Sequence, residues 1–447
     1  MSFTSRWSDV YVAAGARAIT TCGDFLAATA LALALQQAGA GGRAVSALLL
    51  AASIPLVVLA PLTGRIADRV DSRLLLVGTG IAQAVICLGL AYAERPALII
   101  ALVGLLSCGL AITAPTLAAL LPTMVRRADL AKASSINQTA GTVGMLLAPA
   151  LAGVLVGQFG TRPPLLLDAV SYLSLVAAGL LLHTRRGVRP AARSGAATVE
   201  ERVPWRFRSD RVLTVMIGAV AAVILGVGAI NVVEVFFIRD TLGASTTVFG
   251  LVSGSWTAGV LIGGVLFGVR SRSTDALIWG VLLALAGACA MVLAGAAVGD
   301  ALLLIPLWLV GGACNGALNL CSNLLMTRRV PPEARGRAFA VLGSAVQGAG
   351  MAGLLLAGLL VDRFDPRLLV AAAGGAGLVA VLCCVPAVWR AVRREQHPAD
   401  PRAGASEPGI ASGDERQCPA SPSRPYSVPE LPADLLGFDA LRRVAGR

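Results

Sequence analysis

Long apolar runs alternate with short, Arg-rich polar segments along most of the chain. Each run is long enough to cross a bilayer as a helix, which takes roughly 20 apolar residues. The residue-by-residue alternation of a membrane β-barrel is missing, so the backbone must satisfy its hydrogen bonds inside helices. The pattern predicts an all-α polytopic membrane protein with twelve transmembrane helices. The predicted spans are 13–36, 44–64, 74–93, 97–121, 131–156, 163–183, 212–238, 247–269, 275–297, 301–326, 338–361 and 367–389.

Two polar segments interrupt this rhythm and suggest a domain organisation. Residues 184–211 are Arg-rich, too polar to span and long for a loop inside a bundle. We therefore expect an N-terminal six-helix half (1–183), a cytoplasmic linker (184–211) and a C-terminal six-helix half (212–390). Residues 391–447 are rich in Pro, Ser, Gly and Asp, a composition typical of a disordered tail, here cytoplasmic.

A weak internal repeat supports two related halves. Residues 151–162 and 356–367 share Leu, Ala, Gly, Leu, Val, Phe and Arg at a constant offset. Chance similarity between Leu/Ala/Gly-rich helices is the alternative explanation, and the shared Phe and Arg at the helix exit argue against it. Two parallel six-helix halves, related by an axis along the membrane normal, are one known transporter architecture.

Composition agrees with a membrane protein and narrows its partners. The chain is 56% hydrophobic and 14% charged, against about 25% charged residues in soluble domains. Its net charge of +12 is concentrated in alternate loops, which indicates cytoplasmic loops rather than nucleic-acid binding. Both termini are then expected in the cytoplasm, because the number of spans is even.

The sequence offers little for catalysis or metal binding. It contains two His, and its nine Cys form no Cys-x-x-Cys pair. The Gly-x-x-x-x-Gly-Lys phosphate-binding loop is also missing. We therefore expect a protein that is not an enzyme, with no catalytic residues, no metal site and no cofactor.

The connection between the second and third spans carries a recognisable motif. Gly64, Asp68, Arg69 and Arg73 have the spacing Gly-x-x-x-Asp-Arg-x-x-x-Arg. This motif resembles the loop signature of the major facilitator superfamily, although Asp71 stands where the family usually has Gly. The resemblance implies two pseudo-symmetric six-helix bundles and a cytoplasmic gating loop. The alternative is that these charges only anchor the topology.

A second motif lies in the fifth span. Gly144, Pro149 and Gly153 match an antiporter signature of the same superfamily, with Ala148 and Ala152 in place of two Gly. The resemblance implies export in exchange for protons. Ordinary close packing of small residues, which carries no direction of transport, is the alternative.

Further stretches, in this order along the chain, resemble the macrolide-efflux and drug:proton antiporter-3 branch. They are 22–24, 114–122, 167–173 and 335–339. The resemblance implies a secondary active transporter of the bacterial inner membrane that exports small amphipathic drug-, macrolide- or siderophore-like molecules by proton antiport and alternating access. We expect protons and the lipid bilayer as its other partners, no nucleic acid, and a monomer. A metabolite facilitator or importer, or a transport-inactive membrane sensor or scaffold, remains the alternative.

Ionisable groups inside a membrane are costly and often functional. Asp24 and Glu234 are candidates for proton coupling or for contact with a charged substrate. For Asp24 the alternative is a structural pair with Arg17. For Glu234 it is a water-exposed position at the external mouth. Asp168 is expected towards the external end of its span, a position that favours a structural role.

Asparagines extend the candidate site. Asn231 lies about one turn from Glu234, and Asn315, Asn319 and Asn323 fall on one face of the tenth span. A polar stripe this long must face protein or water. It either lines a central cavity and binds substrate, or it holds helices together.

Overall fold

The computed structural model describes residues 5–184, 210–268, 273–331 and 334–396. These residues contain helices and no strand, and twelve of the helices are long and apolar enough to cross a membrane, which confirms the predicted fold class. We number them α1 (Trp7–Gln37), α2 (Gly41–Val58), α3 (Ser72–Ala91), α4 (Pro96–Met124), α5 (Leu130–Phe159), α6 (Arg162–Leu181), α7 (Arg211–Phe236), α8 (Thr246–Gly268), α9 (Thr274–Ala296), α10 (Leu304–Arg329), α11 (Arg335–Leu360) and α12 (Pro366–Gln396).

Some helices extend beyond the apolar runs that predicted them. The helix α1 begins at Trp7 and α12 continues to Gln396, past the predicted start of the tail at residue 391. A helix does not have to end where its apolar stretch ends, because residues outside the bilayer can keep the same backbone hydrogen bonds. Residues 185–209 of the predicted linker and 397–447 of the predicted tail lie outside the described residues.

The second predicted span, 44–64, is wrong as a single helix. The helix α2 ends at Val58, and a separate short helix, Ala60–Arg69, begins after Leu59. Pro61 lies in the first turn of this short helix, where the missing proline N–H costs least. The break therefore falls where a continuous helix would have lost a backbone hydrogen bond.

Helices in each half pack closely wherever small residues face a neighbour. In the first half, α1 packs against α5 and α6, α3 against α6, and α2 against α4. In the second half, α10 packs against α8 and α9, and α7 against α11 and α12. Gly259 and Gly316 illustrate the cause, because a side chain at either position would collide with the backbone of the partner helix across the α8–α10 contact.

The two halves meet where α1 ends and α2 begins, which we call the α1–α2 end of the molecule. There α2 packs against α11, and α5 packs against α8. Gln36 Nε2 donates to Asp240 Oδ1 at 2.6 Å, and Ser46 Oγ donates to the Leu354 carbonyl oxygen at 2.5 Å. These contacts join the bundles at the end that the charge pattern predicts to be external.

Asp362, just after α11, reinforces the same contact. Its Oδ1 accepts a hydrogen bond from the Gly42 backbone N–H at 2.6 Å, and its Oδ2 lies 3.9 Å from Arg43 Nε. A carboxylate at the first turn of α2 is also favoured by the helix dipole.

Candidate functional site

An acid cluster lies inside the first bundle, where α1 meets α6. The phenol of Tyr172 on α6 donates a hydrogen bond to Asp24 Oδ1 on α1. Tyr172 is only 1% exposed, so its hydroxyl is held in place by packing. Asp24 itself is half-buried. The pair places an oriented donor on a carboxylate within the membrane-spanning region.

A second carboxylate lies one helical turn away on α6. Asp168 is 0% exposed. Its Oδ1 accepts from Ser171 Oγ at 3.0 Å, and its Oδ2 lies 3.1 Å from Cys87 Sγ on α3. Asp168 is therefore fully covered by protein, in contrast to Asp24.

Gly23 explains how α1 approaches this cluster so closely. A side chain at this position would collide with the Asp168 carboxylate and the Ser171 hydroxyl. The segments 22–24 and 167–173, which the sequence singled out separately, thus lie in direct contact. This contact makes Asp24 and Asp168 neighbours.

Arg17 does not pair with Asp24 here. Among the described residues, no cationic side chain lies within ion-pair distance of Asp24. The Nε atom of Arg17 is buried without a hydrogen-bond partner. It lies beside Gly141 of α5, where a side chain would crowd it at 2.9 Å.

The second bundle holds its own acid site around Glu234 on α7. Glu234 Oε1 accepts hydrogen bonds from Ser253 Oγ on α8 at 2.9 Å and from Trp308 Nε1 on α10 at 3.2 Å. Trp308 packs edge-to-face against Trp256, with ring centroids 6.4 Å apart. Two helices therefore orient one oxygen of this half-buried carboxylate.

Three of the predicted asparagines, Asn231, Asn315 and Asn319, make hydrogen bonds within their own helices. Asn231 is exposed and donates to the Val227 carbonyl oxygen at 3.1 Å. Asn319 donates to Asn315 Oδ1 at 3.0 Å, and Asn319 and Asn323 are exposed. The stripe on α10 thus presents polar groups on an exposed helix face.

The residues of the loop motif lie on two helices. Gly64 and Arg69 belong to the short helix Ala60–Arg69, and Arg73 lies in the first turn of α3. Asp71 caps α3, because its Oδ1 accepts from the Arg73 backbone N–H at 2.7 Å. The departure from the family pattern at position 71 therefore supplies a helix cap. The side chain of Asp68 lies outside the described residues.

The second motif spans two contacts of α5. At Gly144 a side chain would collide with the backbone of α1, and at Gly153 with the backbone of α8 near Gly250. Pro149 is buried between them. This stretch of α5 therefore touches both the helix that carries Asp24 and the opposite bundle.

Sequence reasoning found the acids but missed most of their partners. Tyr172 lies in a segment that the sequence singled out, yet nothing there marked its hydroxyl as the partner of Asp24. No sequence motif includes Cys87, Ser253 or Trp308, so the sequence did not mark them as partners of the acids. The described residues contain no cluster of His, Cys, Asp and Glu that could hold a metal ion.

The described residues form twelve spanning helices in two bundles, each with an interior carboxylate held by hydrogen bonds. The sequence model of the Major Facilitator Superfamily matches residues 13–236 and 216–436. The chain therefore belongs to this superfamily and is a multi-pass membrane transporter.

Individual relatives agree with this membership. The uncharacterized MFS-type transporter YfiS of Bacillus subtilis (strain 168) is 26% identical over 355 residues, which cover 77% of this chain and 84% of YfiS. The multidrug resistance protein MdtG of Enterobacter lignolyticus (strain SCF1) is 28% identical over 189 residues, which cover 42% of this chain and 44% of MdtG.

Solved structures share the fold. The nucleoside transporter NupG matches with a TM-score of 0.69 at 13% identity, covering 85% of this chain and 98% of NupG. A bacterial homologue of the iron transporter ferroportin, in an inward-facing state, matches with a TM-score of 0.65 at 17% identity, covering 86% of this chain and all of that one (100%). At these identities the likeness concerns the fold alone.

Proposed function

We propose that this protein is a proton-coupled exporter of small amphipathic molecules, such as drugs, macrolides or siderophore-like metabolites. It would act as a carrier rather than an enzyme, as a monomer in the bacterial inner membrane with both termini in the cytoplasm. The observation that carries this proposal is the presence of one half-buried, hydrogen-bonded carboxylate in each bundle, Asp24 and Glu234.

Proton coupling fits the chemistry of these two positions. An ionised carboxylate inside a membrane protein is costly unless a cation or water compensates its charge. The described residues place no cation within ion-pair distance of Asp24 or Glu234. Protonation neutralises the charge without a cation, so an acid that changes its access to water can bind a proton on one side and release it on the other.

Alternating access fits the arrangement of the bundles. The bundles touch at the α1–α2 end through α2–α11 and α5–α8. Rocking of the bundles, in which these contacts open and close in turn, would expose the acids and the Asn315–Asn319–Asn323 face to one side of the membrane at a time. In this scheme the loop with Gly64, Asp68, Arg69 and Arg73 gates the cytoplasmic side.

Export is favoured over import by two observations. The stretch with Gly144, Pro149 and Gly153 resembles an antiporter signature, and it contacts both α1 and the opposite bundle. The partial relative MdtG is described as a multidrug resistance protein. The exposed asparagine face on α10 offers hydrogen bonds to the polar part of an amphipathic substrate.

The test is substrate accumulation in cells with and without the protein, over a panel of dyes and macrolides, before and after collapse of the proton gradient. We expect lower accumulation in cells with the protein and loss of that difference when the gradient collapses. The variants Asp24→Asn and Glu234→Gln should abolish gradient-driven efflux. The matched control is Glu94→Gln, on the exposed turn before α4.

Each outcome decides between functions. Full gradient-driven efflux in both variants would refute these acids as coupling sites. Gradient-driven uptake would establish an importer instead. No transport over the panel would favour a dedicated metabolite, or a sensor acting through residues 397–447.

A further inference from the structure

The acid cluster of the first bundle contains a second carboxylate, Asp168, to which the proposed function assigns no role. Asp24 is half-buried and Asp168 is fully buried beside it, with the backbone of Gly23 directly against the Asp168 carboxylate. Two ionised carboxylates this close repel each other strongly, and no cation lies between them in the described residues. The hydrogen bonds around the pair indicate where a proton would sit.

The partners of Asp24 suit an ionised carboxylate. The Tyr172 hydroxyl donates to Asp24 Oδ1, and a phenol is most useful as a donor to a charged acceptor. Asp24 is also less completely covered by protein than Asp168, so its ionised form is the less costly of the two.

The contacts of Asp168 can all be made by a neutral carboxylic acid. Cys87 Sγ lies 3.1 Å from Asp168 Oδ2 and 3.3 Å from the Leu165 carbonyl oxygen. The single thiol hydrogen can point to the Leu165 carbonyl, which has no hydrogen to give. The sulfur is then free to accept a hydrogen bond from a protonated Oδ2.

The other oxygen of Asp168 is satisfied in the same arrangement. Asp168 Oδ1 accepts from Ser171 Oγ at 3.0 Å, as the carbonyl oxygen of a carboxylic acid does. A protonated Asp168 therefore uses every polar contact around it and leaves no charge in a fully buried position.

The groups that face the pair do not offer a counter-charge. They come from α1, α3 and α6, and in the described residues none of them is a cation; they are Cys22, Cys87, Ser171 and Tyr172. We propose that Asp168 is a permanently protonated positioning residue, so that Asp24 and Asp168 together hold one proton at rest and only Asp24 cycles.

This protonation state concerns the same acid site as the proposed function and rests on it for its role, but it can be measured without transport. Infrared spectroscopy of the purified full-length protein in lipid nanodiscs, near neutral pH, detects the C=O stretch of protonated carboxylic acids. The spectrum of Asp168→Asn, compared with the wild type, should lack one such component. The control Glu94→Gln should leave every component unchanged.

A second variant keeps the test decisive if Asp168→Asn folds poorly. Cys87→Ser replaces the sulfur with a stronger hydrogen-bond acceptor, so the same component should move to lower wavenumber. A spectrum that is unchanged in both variants would overturn the assignment. So would a component lost in Asp24→Asn and retained in Asp168→Asn, because the proton would then reside on Asp24.

Transport provides the functional readout. Because Asn mimics a neutral acid, Asp168→Asn should keep gradient-driven transport within twofold of the wild type with an unchanged pH profile. Transport lost in Asp168→Asn, with the infrared component confirmed, would show that Asp168 also releases its proton and would overturn its permanent protonation. Absence of gradient-driven transport in the wild type would refute the proposed function and leave the infrared assignment standing.

Discussion

Removing the hydroxyl of Tyr172 would test how much the orientation of Asp24 matters while leaving its carboxylate unchanged. The ring is packed between α1 and α6, and the hydroxyl donates to Asp24 Oδ1. Replacing Tyr by Phe removes one oxygen and keeps the packing volume. Asp24 keeps its carboxylate but loses its donor.

We therefore expect Tyr172→Phe to slow gradient-driven transport and leave folding intact. An unsatisfied acceptor costs about 1–3 kcal/mol, which corresponds to roughly fivefold or more in a rate or equilibrium. The measurement is initial transport rate in proteoliposomes with an imposed proton gradient, alongside thermal unfolding in detergent. The matched control is Tyr11→Phe, where the ring is 58% exposed. Equal rates for the two variants would contradict the role of the hydroxyl.

At the scale of the helix, the apolar pattern alone predicted most elements. The predicted spans follow the observed helices because a bilayer demands long, continuous apolar runs, and short loops keep neighbours adjacent. The exception was the span 44–64, where one helix ends at Val58 and another begins at Ala60. Pro55 and Pro61 were visible there, but proline is tolerated in membrane helices, so its presence did not decide between a kink and a break.

The α5–α8 contact allows a prediction about one pair of glycines. At Gly153 a new Cβ would lie 2.5 Å from the Thr246 carbonyl oxygen and 2.9 Å from the Gly250 Cα, whereas at Gly254 it would meet Ala150 at 3.9 Å or more. Gly153→Ala should therefore cost about 1–3 kcal/mol through overpacking. Gly254→Ala should be neutral or slightly stabilising, because Ala favours helix more than Gly does.

The measurement for this pair is the midpoint of thermal unfolding of each variant in the same detergent. A lower midpoint for Gly153→Ala alone supports close approach of the bundles at this point. Equal midpoints for the two variants would mean that α5 and α8 do not touch there.

At the scale of the whole molecule, the acids were predictable but their surroundings were not. Asp24, Asp168 and Glu234 stood out because a charge is rare inside an apolar run. The sequence offered Arg17 as a partner for Asp24, since both lie on α1. The actual partner, Tyr172, is 148 residues away, and only the packing of α1 against α6 brings the two together.

The contact between the bundles at the α1–α2 end can be tested by cross-linking. Gln36 Nε2 and Asp240 Oδ1 are 2.6 Å apart and belong to opposite bundles. If transport requires the bundles to separate at this end, a covalent link between these positions must stop it. We expect the double variant Gln36→Cys with Asp240→Cys, treated with a short reducible thiol cross-linker, to lose transport and to regain it on reduction.

The single variants Gln36→Cys and Asp240→Cys, treated in the same way, control for modification and for the native cysteines. Their transport should be unaffected by the cross-linker, because each variant lacks the second cysteine of the engineered pair. A double variant that is demonstrably cross-linked and still transports at the wild-type rate would show that the two bundles stay together at this end. Alternating access would then have to arise from movements within a bundle.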